Sequence, residues 1–200
     1  MQHVLLAVMW IVYGVIHSVL AHKKVKEAAE TKMGHRFRFY RIFYVLFAFV
    51  TLVAILIYQL LIPPILLFQK SIATDIAGIL VSVSGLILML VCIRKYFMSL
   101  SGLKSLFFEQ HRNELIITGV HRYIRHPLYL GTFIFIWGLL LIFPHLSLLV
   151  MNVVITVYTL IGIKFEEEKL VEEYGEDYVE YRKRVGALWV RRTAGAKSRV

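Results

Sequence analysis

The chain has 200 residues, 58% of them hydrophobic and 18% charged, with a formal net charge of +10. With a positive mean hydropathy, this composition excludes an ordinary soluble domain and indicates an integral membrane protein. The only cysteine, Cys92, lies in an apolar segment, which excludes a disulfide framework and a cysteine-based metal site and leaves a small buried hydrophobe.

The first run, "MQHVLLAVMWIVYGVIHSVLAHKK", has no cationic segment before it and no clear small-residue cleavage site, so it reads as a retained span rather than a signal peptide. An α-helical span needs about 20 mostly apolar residues, and about 17 suffice at the short end. Five stretches qualify, at about 4–21, 42–62, 76–93, 128–143 and 146–163, the fourth being short because Pro127 and Pro144 bracket it. Pro144 and His145 make the last two spans a tight hairpin.

Basic residues alternate with the loops. Loop one carries seven Lys/Arg, the loop between spans two and three one, the next loop six from Arg94 to Arg125, and the hairpin "PHLS" none. The positive-inside rule then places the N-terminus outside, and loops one and three and the C-terminal tail in the cytoplasm. The expected architecture is all-α: a single polytopic membrane domain over 1–200 with five transmembrane helices and a cytoplasmic C-terminal helical extension from about Lys164. Anionic lipid head groups are the partners expected for the basic charge. No soluble basic module exists to bind nucleic acid.

Polar chemistry gathers in two places. In "GVHRYIRHPLYLG" (119–131), the residue before a proline is pushed from the α region and proline is favoured at the first helical position. Arg125 and His126 should therefore be extended and a helix should begin at Pro127. Its unpaired N–H groups and positive dipole end, with Arg125 and His126, suit a carboxylate or another anion. Tyr129 offers a ring and a hydroxyl one turn in, and Gly131 leaves room for a ligand near the backbone. Anchoring of a helix at the interface accounts for the same residues equally well.

The second cluster is "IKFEEEKLVEEYGEDYVEYRKRV". Glutamates at the edge of hydrocarbon are costly if they face lipid. Helical spacing turns Glu167 inward, on the stripe of Leu170, Val171 and Tyr174, with Glu168 solvated and Glu166 intermediate. Glu172, Glu173, Glu176 and Asp177 read as a solvated face, and Tyr174, Tyr178 and Tyr181 as a stripe that an interfacial belt also explains. A hairpin of spans four and five makes the two clusters neighbours. A cationic helix start facing an anionic helix end suits a zwitterionic amino-acid group such as that of S-adenosylmethionine; a structural Arg–Glu pair is the simpler alternative. No glycine-rich strand-to-helix turn occurs, which excludes a Rossmann-type site.

The double motif Arg-His-Pro-x-Tyr-x-Gly (Arg125–Gly131), Glu-Glu-x-x-Leu (Glu166–Leu170) and Tyr-Gly-x-x-Tyr-x-x-Tyr (Tyr174–Tyr181) closely resembles the membrane methyltransferase superfamily of isoprenylcysteine carboxyl methyltransferases and phospholipid methyltransferases. The resemblance covers about 115–185. "HSVLAHKKVK", "RIFYVLFAFVTL", "SLSGLKSLF" and "FIFIWGLLL" further resemble methanethiol S-methyltransferases and membrane proteins associated with nitrite and nitric oxide reductases. Three positions depart from the pattern: His121 stands where relatives commonly have Tyr, "RVGALWV" lacks the usual proline, and Gly162 stands where isoprenylcysteine enzymes tend to carry Arg.

The resemblance implies a transferase that moves a methyl group from S-adenosylmethionine, held in a cytoplasmic region formed by about 115–131 and 164–190, to a small or lipophilic acceptor. A thiol is the first choice, with a prenylcysteine carboxylate or a phospholipid amine behind it. His126, Tyr129, Gly131 and Glu167 map onto the binding motif, with His121, Tyr123, Arg125, Leu130 and Glu166 beside them. In this reading Arg125 and His126 hold the anionic end of the cofactor and Glu167 takes its ammonium or a ribose hydroxyl. No general base is nominated. The reading from another class is a non-enzymatic assembly or transport protein on the same fold.

Overall fold

The computed structural model describes residues 1–100, 115 and 117–191. Several sequence expectations lie outside these residues: the basic residues Lys104 and Arg112 of loop three, the resembling stretch from Ser101 to Phe107, Ile116 in the cofactor region, and the tail "KSRV". The described helices are α1 (Gln2–Ala21), α2 (Lys23–Met33), α3 (Tyr40–Leu61), α4 (Ile72–Leu100), α5 (Pro127–Ile142), α6 (Leu146–Tyr174) and α7 (Glu176–Arg184), with short 3-10 turns at Gly34–Phe39 and Gly119–Arg122. The described residues hold no β-strand beyond two isolated bridges.

α1, Ile42–Leu61 of α3, Ile72–Arg94 of α4 and α6 are each long and apolar enough to cross a membrane, whereas α5 is a shorter apolar helix of 16 residues. Large side chains such as Leu60 and Ile72 are more than four-fifths exposed, as a lipid-facing surface requires. The expected fifth span, 146–163, is only part of its helix. α6 continues unbroken to Tyr174, because its glutamate-rich half is still made of good helix formers. It stops at Gly175, whose φ of 57° is a conformation glycine alone adopts without strain.

The chain forms two compact units. The first comprises Met1–Lys70 and Phe143–Tyr158. In it, Trp10 Nε1 donates to Gln59 Oε1 at 3.3 Å, Tyr40 Oη donates to the Leu20 carbonyl at 2.8 Å, and Tyr44 Oη lies 2.5 Å from His17 Nε2, so hydrogen bonds join α1 and α3 along their length. α2 starts directly after α1, with the His22 ring accepting from the Lys24 N–H. The stretch after α3 pairs with the hairpin turn, Leu67 N–H to Pro144 O at 2.8 Å and Leu146 N–H to Ile65 O at 2.9 Å.

The second unit comprises the described parts of Ser71–Ile142 and Thr159–Val200. α4 and α5 run antiparallel, their backbones brought together by small residues. A Cβ on Gly85 would lie 2.5 Å from Phe135 N, one on Gly138 would lie 2.6 Å from Ser82 N, and Gly78 faces Ile142. Close approach of this kind supplies the van der Waals contact that holds helices together in lipid, where the hydrophobic effect between them is absent.

Candidate functional site

The site grows from the turn before α5. Ile124 is bridged in parallel to Gly186. The Arg125 N–H donates to Gly186 O at 2.9 Å and the His126 N–H to Ala187 O at 3.0 Å, so the segment after α7 runs as a strap along the pre-proline residues. The helix start expected at Pro127 is present, with Arg125 in a bend and His126 outside any helix just before it.

Arg125 is spent inside the protein. Its Nε donates to Glu167 Oε1 at 2.8 Å, with Nη2 on the same oxygen, and Nη1 donates to the Arg182 carbonyl at 3.1 Å and to the Val185 carbonyl. Its side chain is 8% exposed and that of Glu167 14%. An Arg–Glu pair therefore links α6 to the turn before α5. Arg125 and Glu167, expected to hold opposite ends of the cofactor, are each other's counter-ions in the structure. Arg182 adds a second positive charge 3.9 Å from Glu167 Oε2.

Glu166 sits differently. It accepts from Tyr129 Oη at 2.9 Å, lies 3.8 Å from His126 Nδ1, and keeps a side chain 43% exposed. Among the described residues no arginine or lysine pairs with it. His126 is buried, its Nε2 3.2 Å from Glu167 Oε1 and its ring stacked on Tyr129 at 5.7 Å. Arg125, His126 and Tyr129 thus meet both glutamates, whose inward and intermediate facings follow the helical spacing. Glu172, Glu173, Glu176 and Asp177 are exposed.

The remaining expected residues are placed less uniformly. His121 Nδ1 lies 3.0 Å from the Arg125 carbonyl, while its own carbonyl accepts from Tyr181 Oη at 2.6 Å, so His121 shapes the turn. Tyr123 is exposed and Leu130 half-buried. At Gly131 a Cβ would lie 2.9 Å from Met89 Cγ and 3.0 Å from Gly85 O, so its missing side chain serves the contact with α4.

Sequence reasoning missed Arg182 and the Val185–Ala187 strap. Only Gly186 could have signalled the strap: a Cβ there would lie 2.0 Å from the Trp189 carbonyl, which makes glycine obligatory. It also read Tyr178 only as part of a stripe. That residue is 1% exposed, and its hydroxyl makes no hydrogen bond of ordinary geometry. Burial, reinforced by Glu167 and opposed by Arg125, pushes its phenol up to about 12.

The sequence pattern of the phospholipid methyltransferase family matches residues 73–177. Among similar proteins, methanethiol S-methyltransferase of Pseudomonas deceptionensis is 37% identical over 82 residues, 39% of this chain and 30% of that protein. The enzyme of the same name from Crocosphaera subtropica is 40% identical over 70 residues, 34% of this chain and 26% of its own. Protein-S-isoprenylcysteine O-methyltransferase of Saccharomyces cerevisiae is 30% identical over 138 residues, 66% of this chain and 56% of that one. The matched regions thus cover less than two thirds of each relative's length. No solved structure matches. With more than half of its residues inside the family pattern, and with helices long and apolar enough to cross a bilayer, the chain is an integral membrane protein that belongs to the phospholipid methyltransferase family.

Proposed function

We propose that the protein is an integral membrane methyltransferase that uses S-adenosylmethionine and methylates a small or lipophilic acceptor, a thiol first. The observation that carries this reading is the convergence of both halves of the family motif, Arg125–Tyr129 and Glu166–Glu167, on one polar cluster at the start of α5. The names of the relatives support the acceptor: two of the three described above are named for methanethiol and the third for a prenylated cysteine. A prenylcysteine carboxylate is the second reading, favoured by the longer stretch shared with the yeast relative.

The residues fit such a cofactor. Glu166 is a partly exposed carboxylate without an arginine or lysine partner among the described residues, so it is the group to take an ammonium or a ribose hydroxyl. Tyr129 and His126 orient it. The N-terminal end of α5 offers the positive pole for the carboxylate end. Arg125 and Glu167, neutralising one another, fix the turn that presents these groups. When bound, S-adenosylmethionine supplies a methyl group activated on a sulfonium sulfur. The chain's own contribution is alignment and exclusion of water, since charge disperses rather than accumulates as the methyl leaves.

The helix lengths support a reaction at the edge of the bilayer. α5 rises about 24 Å, short of the roughly 30 Å hydrocarbon core, whereas the 29 residues of α6 rise about 44 Å. A short fourth span draws its polar N-terminus below the head groups, within reach of an acceptor dissolved in lipid. Five spans, an outside N-terminus and a cytoplasmic site and C-terminal extension complete the proposal, on the distribution of Lys and Arg.

The test is S-adenosylmethionine binding in detergent by wild type, Glu166→Gln and His126→Ala, followed by S-adenosylhomocysteine release with thiol, prenylcysteine and phosphatidylethanolamine acceptors. Wild type should bind and both variants should bind more weakly. No binding by wild type overturns the reading, and binding without turnover on any acceptor favours a non-enzymatic member of the family.

A further inference from the structure

We propose that a groove between α1 and α3 holds one acyl chain of an anionic phospholipid, its head group set against the basic segment that opens α2. The groove is a cavity of about 240 Å³ whose walls include Met9, Tyr13, His17 and Leu20 of α1 and Tyr44 and Ile55 of α3. Those walls are almost wholly carbon, and both helices are long and apolar enough to cross a membrane.

Its length matches one leaflet. Met9 to Leu20 and Tyr44 to Ile55 are each twelve residues, eleven helical steps from end to end. At the rise of a helix this is about 16 Å, roughly half of a hydrocarbon core of about 30 Å.

The polarity is graded along that length. Thr51, deep in the groove, donates to its own helix at the Phe47 carbonyl, 2.7 Å away. The other polar groups gather toward the C-terminal end of α1. There His17 Nε2 and Tyr44 Oη are paired at 2.5 Å, and the Tyr13 ring lies 6.1 Å from that of His17. An ionisable side chain at this depth of a span is rare unless it serves binding or joins helices. Here it sits where the first polar atoms of a lipid chain would come to rest.

Charge selects the head group. The groove ends at Leu20, which Tyr40 ties to α3, and α2 begins three residues later. From His22 to Arg41 the chain carries seven Lys/Arg and two Glu, with Lys24 and Lys26 exposed. Such a cluster beside a hydrocarbon groove favours an anionic head over a zwitterionic one, by about fivefold for each lysine close to it. The groove lies wholly outside residues 73–177, the region matched by the family pattern, so it stands apart from the transferase reading.

The experiment is native mass spectrometry of the full chain released from vesicles of equal phosphatidylglycerol and phosphatidylcholine. Wild type should retain one phosphatidylglycerol per protein. Ala48→Phe and Ala54→Phe, which fill the groove, should retain none while unfolding at the wild-type temperature. Lys24→Gln with Lys26→Gln should keep a lipid and lose its preference for phosphatidylglycerol. The proposal is overturned if wild type retains no lipid, or retains both lipids equally. It also fails if the filled variants, still folded, hold as much as wild type. Should filling unfold the protein, the exposed lysine variant decides: an unchanged preference overturns the proposal.

Discussion

Arg125 and Glu167 stand forty-two residues apart and form one ion pair, the Arg125 Nε 2.8 Å from Glu167 Oε1, with the same guanidinium held by the Arg182 and Val185 carbonyls. The neighbouring Glu166 has no such partner among the described residues. Adjacent carboxylates on one helix are thereby given separate tasks. Glu167→Gln or Arg125→Ala should lower stability by about 3 kcal/mol, because each leaves a mostly buried charge without its main partner. Glu166→Gln, at a side chain 43% exposed, should change stability by less than about 1 kcal/mol while weakening S-adenosylmethionine binding. Thermal unfolding without ligand, set beside binding isotherms, separates the two. A Glu166→Gln variant that binds normally would refute the assignment.

The Tyr178 phenol supplies an alkaline signature. Its folded-state value of about 12 exceeds the ordinary 10.0, so its contribution to stability is full below pH 10 and is lost as pH rises toward about 12. The loss should be roughly 2–3 kcal/mol. Unfolding curves from about pH 9 to 12 should show this decline in wild type and a shallower one in Tyr178→Phe.

The strap after α7 depends on one atom's absence. A Cβ at Gly186 would meet the Trp189 carbonyl at 2.0 Å, backbone that cannot yield locally. In Gly186→Ala the Arg125 and His126 N–H groups should lose their acceptors and exchange hydrogen faster, about tenfold for each 1.4 kcal/mol of pairing lost. Unchanged exchange at those amides would exclude the strap.

The seam of α4 and α5 makes a paired prediction about glycine. Gly85→Ala and Gly131→Ala add a methyl group where backbone already stands within about 3 Å, and each should destabilise by about 1–3 kcal/mol. Gly162→Ala meets nothing within 4 Å in the middle of α6 and should be neutral or stabilise by up to about 1 kcal/mol. Equal effects at all three positions would contradict the packing.

Much of this was legible from residues alone, for stated reasons. Proline rules located the start of α5, and helical spacing ranked Glu167 as more enclosed than Glu166. Who pairs with whom was not legible, since a cationic helix start facing an anionic helix end can bind a zwitterion or neutralise itself. Nor was the contact of Gly131 with α4: a missing side chain makes room, and the sequence does not say for what. The strap was hidden because a single backbone bridge has no periodic pattern to betray it.

The strap also sets a timetable. Arg125 leaves the ribosome sixty residues before the Val185 carbonyl that receives it. At about 5–20 residues per second, the guanidinium waits roughly 3–12 seconds for its last acceptor. The membrane helices can insert during that interval, but the polar corner is completed only afterwards. A ribosome stalled between those two points would display inserted spans with an open corner, so biogenesis has a defined moment before which the motif cannot close.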